Sequence, residues 1–137
     1  MKKFLFLTAL FFIYFNSFAQ TAKDYYDSGT AKEDAKDHYG ALADFSNAIL
    51  LNPNYGDAYI SRGWIKDKLQ DYNGAVQDYT KAIEINPNDN WAYYYRALDR
   101  KNNLNDPEGA SADCKKAEQL SKSDPDAVFF IKCFPCR

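Results

Sequence analysis

Three proline-punctuated stretches of this 137-residue chain superimpose at a spacing of 34 residues. Tyr25, Tyr59 and Tyr93 fall in register, as do Lys32, Lys66 and Arg100. Ala41 with Ala75, Phe45 with Tyr79, Ala48 with Ala82, Asn52 with Asn86 and Pro53 with Pro87 recur in the same way. A fixed period of this length marks a stacked repeat architecture. Each unit reads as helix, turn, helix, which cannot bury its apolar face alone and must stack on a neighbour. The expected fold is all-α, a solenoid of three helix-turn-helix repeats plus a C-terminal capping helix. The units fall near residues 22–55, 56–89 and 90–124, and the cap near 125–134.

Local punctuation gives the helix bounds. The first helix of each unit, helix A, is expected near Ala22–Ala35, Tyr55–Leu69 and Asn90–Asn103. The second, helix B, is expected near Tyr39–Leu51, Tyr72–Ile85 and Pro107–Leu120. Asp71 and Asp106 are placed as N-caps, and Pro107 stands at a first helical position, where its missing N–H costs nothing. Asp124 with Pro125 repeats that start signal and opens the cap, in which Val128, Phe129 and Ile131 can cover the last unit.

These residues resemble the tetratricopeptide repeat. The second unit carries the pattern best, with Tyr59, Gly63, Tyr72, Ala75, Tyr79, Ala82 and Pro87. The first has Tyr25, Gly29, Ala41, Phe45, Ala48 and Pro53, but His38 in the place of Tyr72. The third has Tyr93 and Ala97, then slips by one residue to Ala110, Cys114 and Ala117. The resemblance runs from Ala22 to about Leu120 and implies binding of peptides or proteins, with no reaction and no cofactor. Small alanines on facing helix sides bring the axes close, and Tyr25, Phe45, Tyr59, Tyr79 and Tyr93 are expected to fill the gaps between layers.

Residues 1–19 stand apart from the repeats. Lys2 and Lys3 precede an apolar run from Phe4 to Phe15, and Ser17-Phe18-Ala19 before Gln20 reads as a cleavage site. That run is shorter than the roughly 20 residues a bilayer span needs. A signal peptide is therefore expected, with a mature domain at 20–137 that is periplasmic or secreted and keeps no stable membrane span. No cysteine follows the apolar run to carry a lipid. Without the leader the chain has 15 basic and 19 acidic residues, a net charge of −4, with the two signs interspersed. A nucleic-acid surface would need clustered Lys and Arg.

A second period is charged. Arg62 and Arg96 recur on helix A, and Asp44, Asp78 and Asp113 on helix B. The expected arrangement is an inter-repeat ladder, Asp44 to Arg62 and Asp78 to Arg96, fixing register between units.

In the resembled family the concave side is lined by helix A. Carried over by position, that face holds Lys23, Tyr26, Thr30 and Asp34; Asp57, Ile60, Trp64 and Lys68; and Trp91, Tyr94, Leu98 and Asn102. The partner-binding candidates are Tyr26, Thr30, Ile60, Trp64, Lys68, Trp91, Tyr94 and Leu98, because Trp and Tyr are enriched where protein partners dock. Chaperone-binding relatives grip a C-terminal carboxylate with Lys, Asn and Arg. This chain has Tyr26, Thr30, Ser61, Trp91 and Tyr95 at those places, which offers few donors to a carboxylate. An apolar or aromatic-containing segment is the expected ligand, and a second copy of the chain on the same face is the alternative.

Enzyme chemistry finds little footing. His38, the one histidine, falls in a predicted turn, with no nucleophile at a suggestive spacing and no Gly-rich phosphate loop. Cys133 and Cys136 have dithiol spacing but end the chain after a helix, where no helix N-terminus lowers a thiol pKa. Two thiols without a partner pair make no zinc site, and Arg137 stands where haem attachment needs His. A disulfide is expected of Cys133 and Cys136, and thiol-redox activity is the least supported reading. Cys114 takes the core place of Phe45 and Tyr79 and is expected to be a buried thiol. No catalytic or metal site is assigned.

Overall fold

Aspartate caps start every helix B, and left-handed residues close the turn between the two helices of each unit. The computed structural model describes residues 20–123, whose regular elements are α1 (Ala22–Asp34), α2 (His38–Leu51), α3 (Gly56–Lys68), α4 (Tyr72–Ile85), α5 (Asn90–Asn102) and α6 (Pro107–Leu120), followed by a 3-10 turn at Ser121–Ser123. Thr21 and Asp24 form a capping box on α1, since each side chain accepts from the other's backbone N–H. Asp37, Asp71 and Asp106 each accept from the N–H three residues on, at 2.9, 3.0 and 2.9 Å, capping every helix B. His38, expected in a turn, is the first residue of α2, because the cap is Asp37.

The turn between helices A and B repeats in geometry. Lys36, Gln70 and Asn105 take positive φ (64, 65 and 52°), the left-handed step that closes a helix C-terminus. The following aspartate N–H then donates to Lys32 O, Lys66 O or Arg100 O at 2.9, 2.8 and 2.8 Å. The one-residue slip of the third unit lies in this turn: 103–106 link α5 to α6, where 35–37 and 69–71 link the earlier pairs. The insertion sits in a loop, so α6 keeps its phase on α5.

Helices pair as α1–α2, α3–α4 and α5–α6, and the pairs stack through α2–α3 and α4–α5. The A helices also touch along the stack, α1 to α3 and α3 to α5, which puts them on the inside of the curve. Ala41, Ala48, Ala75, Ala82, Ala110 and Ala117 are all buried, as the small-residue pattern requires. Phe45 and Tyr79 are buried against glycine: a Cβ on Gly29 would lie 2.7 Å from Phe45 Cε1, and one on Gly63 2.7 Å from Tyr79 Cε1. Tyr25, Tyr59 and Tyr93 are only half-buried rather than core fillers, and the Arg62 and Arg96 guanidinium groups stand 5.4 and 5.6 Å from the Tyr59 and Tyr93 ring centroids.

The charged ladder is intra-repeat, which corrects the expected pairing. Arg62 makes a bidentate pair with Asp78 of its own unit, at 2.8 and 2.7 Å, and Lys66 adds a third contact at 2.8 Å. Arg96 does the same with Asp113 at 2.8 and 2.6 Å, joined by Arg100 at 2.8 Å. In the first unit Lys32 and Ser28 hold Asp44, each at 2.6 Å. Burial pushes Asp44 up, but Lys32 and Ser28 outweigh it and hold the carboxyl below its usual range. The physical reason is phase: the Asp faces the partner helix of its hairpin, one layer short of the next Arg. Arginine still crosses the layer, because Arg62 Nη1 donates to Ser46 Oγ (3.4 Å) and Arg96 Nη1 to Thr80 Oγ1 (3.0 Å), both on the preceding helix B.

Cys114 is buried as expected, yet it is disulfide-bonded rather than a free thiol. A short side chain stands where the earlier units hold a ring. The leader 1–19, the cap 125–134 and the pair Cys133 and Cys136 lie outside the described residues. None of the described helices is long and apolar enough to cross a membrane.

Candidate binding groove

Helix A side chains on the inner curve form a row of contacting rings. Tyr26 of α1 packs 5.0 Å from Tyr55 and 5.6 Å from Phe45, measured between ring centroids. On α5, Tyr95 is the hub: Trp91 stacks on it at 5.9 Å, Tyr79 stacks at 5.8 Å, and Trp64 of α3 lies tilted at 5.3 Å. Half-buried rings that support one another this way are rigid and keep apolar faces available.

Two cavities open on either side of Tyr95. The larger, about 270 Å³, is lined by Tyr26, Asp57, Ile60, Ser61, Asp89, Trp91 and Tyr95. Ser61 Oγ lies 3.4 Å from Tyr26 Oη across it. Asp89 Oδ1 accepts from Trp91 N and Ala92 N at 3.0 and 3.1 Å, so this carboxylate also caps α5. The smaller, about 150 Å³, is lined by Trp64, Asp67, Tyr79, Tyr95, Leu98, Asp99, Asn102 and Asn103.

The eight sequence candidates separate by this geometry. Tyr26, Ile60 and Trp91 line the large cavity; Trp64 and Leu98 line the small one. Lys68 Nζ stands 4.0 Å from the Trp64 ring centroid, a cation–π contact at the groove edge. Thr30 is exposed and lines neither cavity; its hydroxyl donates to Tyr26 O at 3.1 Å. Tyr94 belongs to the interior, 4% exposed and packed with Ala117, because α6 covers that side of α5.

Sequence reasoning missed Asp67 and Asp99. Asp99 stands 34 residues after Ile65 and 68 after Ala31, a position that is apolar in both earlier units. It is 3% exposed, and Asn103 Nδ2 donates to its Oδ1 at 3.0 Å, while Oδ2 receives no hydrogen bond from a fixed donor among the described residues and the Asp67 carboxyl lies within hydrogen-bond reach of Asp99. Burial first, then a side-chain hydrogen bond with the adjoining Asp67 carboxyl and that carboxyl's charge, push Asp99 up to about 7 against the pull of Asn103. An acid at an apolar repeat position was the available signal. Among the described residues, no group of three or more His, Cys, Asp or Glu is placed to hold a metal ion.

Solved structures share this architecture. The Arabidopsis OM64 TPR domain superimposes with a TM-score of 0.74 at 26% identity, over 82% of this chain and 93% of that one. The crystal structure of MamA gives 0.72 at 27% identity, over 77% of this chain and 61% of that chain. The TPR2B domain of yeast Sti1, in its pHsp70 complex, gives 0.77 at 20% identity, over 84% and 91%. No curated protein matches at the sequence level. Residues 56–89, which are the hairpin α3–α4, match the family described as Tetratricopeptide repeat.

Proposed function

We propose that the chain is an exported, non-enzymatic tetratricopeptide-type scaffold that docks a partner protein segment in its concave groove. The observation that carries this reading is the supported ring row Tyr26, Trp91, Tyr95 and Trp64, with cavities on both sides of Tyr95. Such rings bury much area with few rotatable bonds, as interface anchors do. A repeat domain of this fold holds the HSP90 peptide SRMEEVD. Here an acidic, carboxylate-ended peptide would meet Asp57 and Asp89 in the larger cavity, whose lining among the described residues has no Lys or Arg. The partner segment is therefore apolar or aromatic where it meets the rings. Export rests on the basic, apolar and small-residue order of residues 1–19.

The test is partner capture from an envelope fraction with wild type, Trp64→Ala and Trp91→Ala. Each substitution should weaken capture by about 2 kcal/mol, as for interface hot spots, with helical content retained. Normal capture by folded variants with much lower melting points would place both tryptophans in the core and the docking surface elsewhere.

A further inference from the structure

The smaller cavity has features a purely apolar ligand would not use. Its lining joins three aromatic rings, Trp64, Tyr79 and Tyr95, with two carboxyls, Asp67 and Asp99. Asp99 is almost wholly buried, lines the cavity and receives no hydrogen bond on Oδ2 from a fixed donor among the described residues, so its charged form is costly unless a proton shared with Asp67 or an incoming cation offsets it. Neither acid forms a salt bridge among the described residues, whereas Asp44, Asp78 and Asp113 each do. At about 150 Å³ the cavity greatly exceeds the roughly 30 Å³ of one water.

We infer that this cavity receives the ammonium tip of a lysine side chain on the docked partner segment, held between Asp67 and Asp99 and walled by the three rings. The inference rests on the groove reading above. Charge complementarity carries it, because one incoming cation can take the place of the proton that the two adjoining acids share and relieve the repulsion between their charged forms. Ring faces favour a cation, and the chain's own Lys68 shows that the Trp64 indole accommodates one. The acids act on each other from α3 and α5, and Tyr79 on α4 faces the pair with a phenol that burial keeps neutral. A compact ammonium with three rotatable donors suits the scattered acceptors Asp67, Asp99 and the Asn102 and Asn103 carbonyls better than a flat guanidinium fork.

Two measurements on the full chain test it. In the first, n-butylammonium is titrated while the indole N–H signals of Trp64 and Trp91 are followed, with n-butanol as the uncharged control. A saturable shift of the Trp64 signal, absent with butanol and weakened about tenfold or more in a folded Asp99→Asn variant, is expected. No shift, or an equal shift in Asp99→Asn, overturns the site and leaves a water-filled cavity. In the second, a random peptide library is panned on wild type, Asp99→Asn and Trp91→Ala. Lysine should be enriched on wild type and lost on Asp99→Asn. Peptides that depend on Trp91 but show no lysine bias would leave the groove reading standing and sink this one. Amine binding without any peptide enrichment would overturn the partner reading and make the cavity a small-amine site.

Discussion

Gly63→Ala sets two effects of similar size against each other. Alanine in a helix interior is favoured over glycine by about 1 kcal/mol, so propensity alone predicts a more stable protein. The added Cβ, however, would lie 2.7 Å from Tyr79 Cε1 and 3.1 Å from Cδ1 and Cζ. Ordinary contact begins near 3.4 Å, so the ring must move by about 0.7 Å or the helices must part. Tyr79 is 1% exposed and stacked on Tyr95, so it can shift toward the smaller cavity it lines only by disturbing that stack. Overpacking of this kind costs about 1–3 kcal/mol. The net expectation is a loss of about 0–2 kcal/mol, a fall of roughly 4–8 °C in melting temperature per kcal/mol lost for a domain of this size. Gly56→Ala is the control, since its Cβ would meet only Ile85 Cγ2 at 3.7 Å and should leave stability unchanged or raised. The assay is thermal and urea unfolding followed by circular dichroism. A rise in melting temperature for Gly63→Ala would refute the packing argument.

Arg96 and Asp113 should couple by about 1–3 kcal/mol in a double-mutant cycle, and Arg96→Ala alone should cost about 1–3 kcal/mol, because Asp113 loses its bidentate partner but keeps Arg100. Asp78 and Arg96 should couple by less than about 0.5 kcal/mol, and a larger value would restore the inter-repeat ladder. Asp99, with a folded pKa near 7 against 3.8, binds its proton more tightly when folded, so its contribution is full below pH 3.8 and is lost as pH rises through about 7. The unscreened cost is up to about 4 kcal/mol, and about half that remains in a cavity open to water, so stability should fall by about 1–2 kcal/mol from pH 5 to 8 and this slope should vanish in Asp99→Asn. Asp44 acts oppositely but only toward and below pH 3.8, outside that window. Peptide mapping without reductant should find Cys114 protected from alkylation; a modified Cys114 would contradict its disulfide. Mass spectrometry of exported protein should find Gln20 as the first residue, and an intact Met1 form held in the membrane would count against the signal peptide.

Helix positions were legible in the sequence because their causes are local. A period of 34, caps at Asp71 and Asp106, and a proline at the start of α6 act within a few residues, and the expected bounds lie within one residue of those observed. The alanine pattern likewise foretold which positions are buried, since only small side chains let paired helices approach. The aromatic groove residues were partly legible: repeat position places Trp64 and Trp91 on the inner face, but not Tyr94 in the interior beneath α6. Ion pairing was not legible, because two registers are equally consistent with a 34-residue recurrence. Only the rotation of one helix about its neighbour puts Asp78 against Arg62 rather than Arg96. The Asp67 and Asp99 pair is the same kind of fact. Sequence shows an acid at an apolar repeat position, while the tertiary fold alone brings a second carboxyl from helix A of the preceding unit and closes three rings around both.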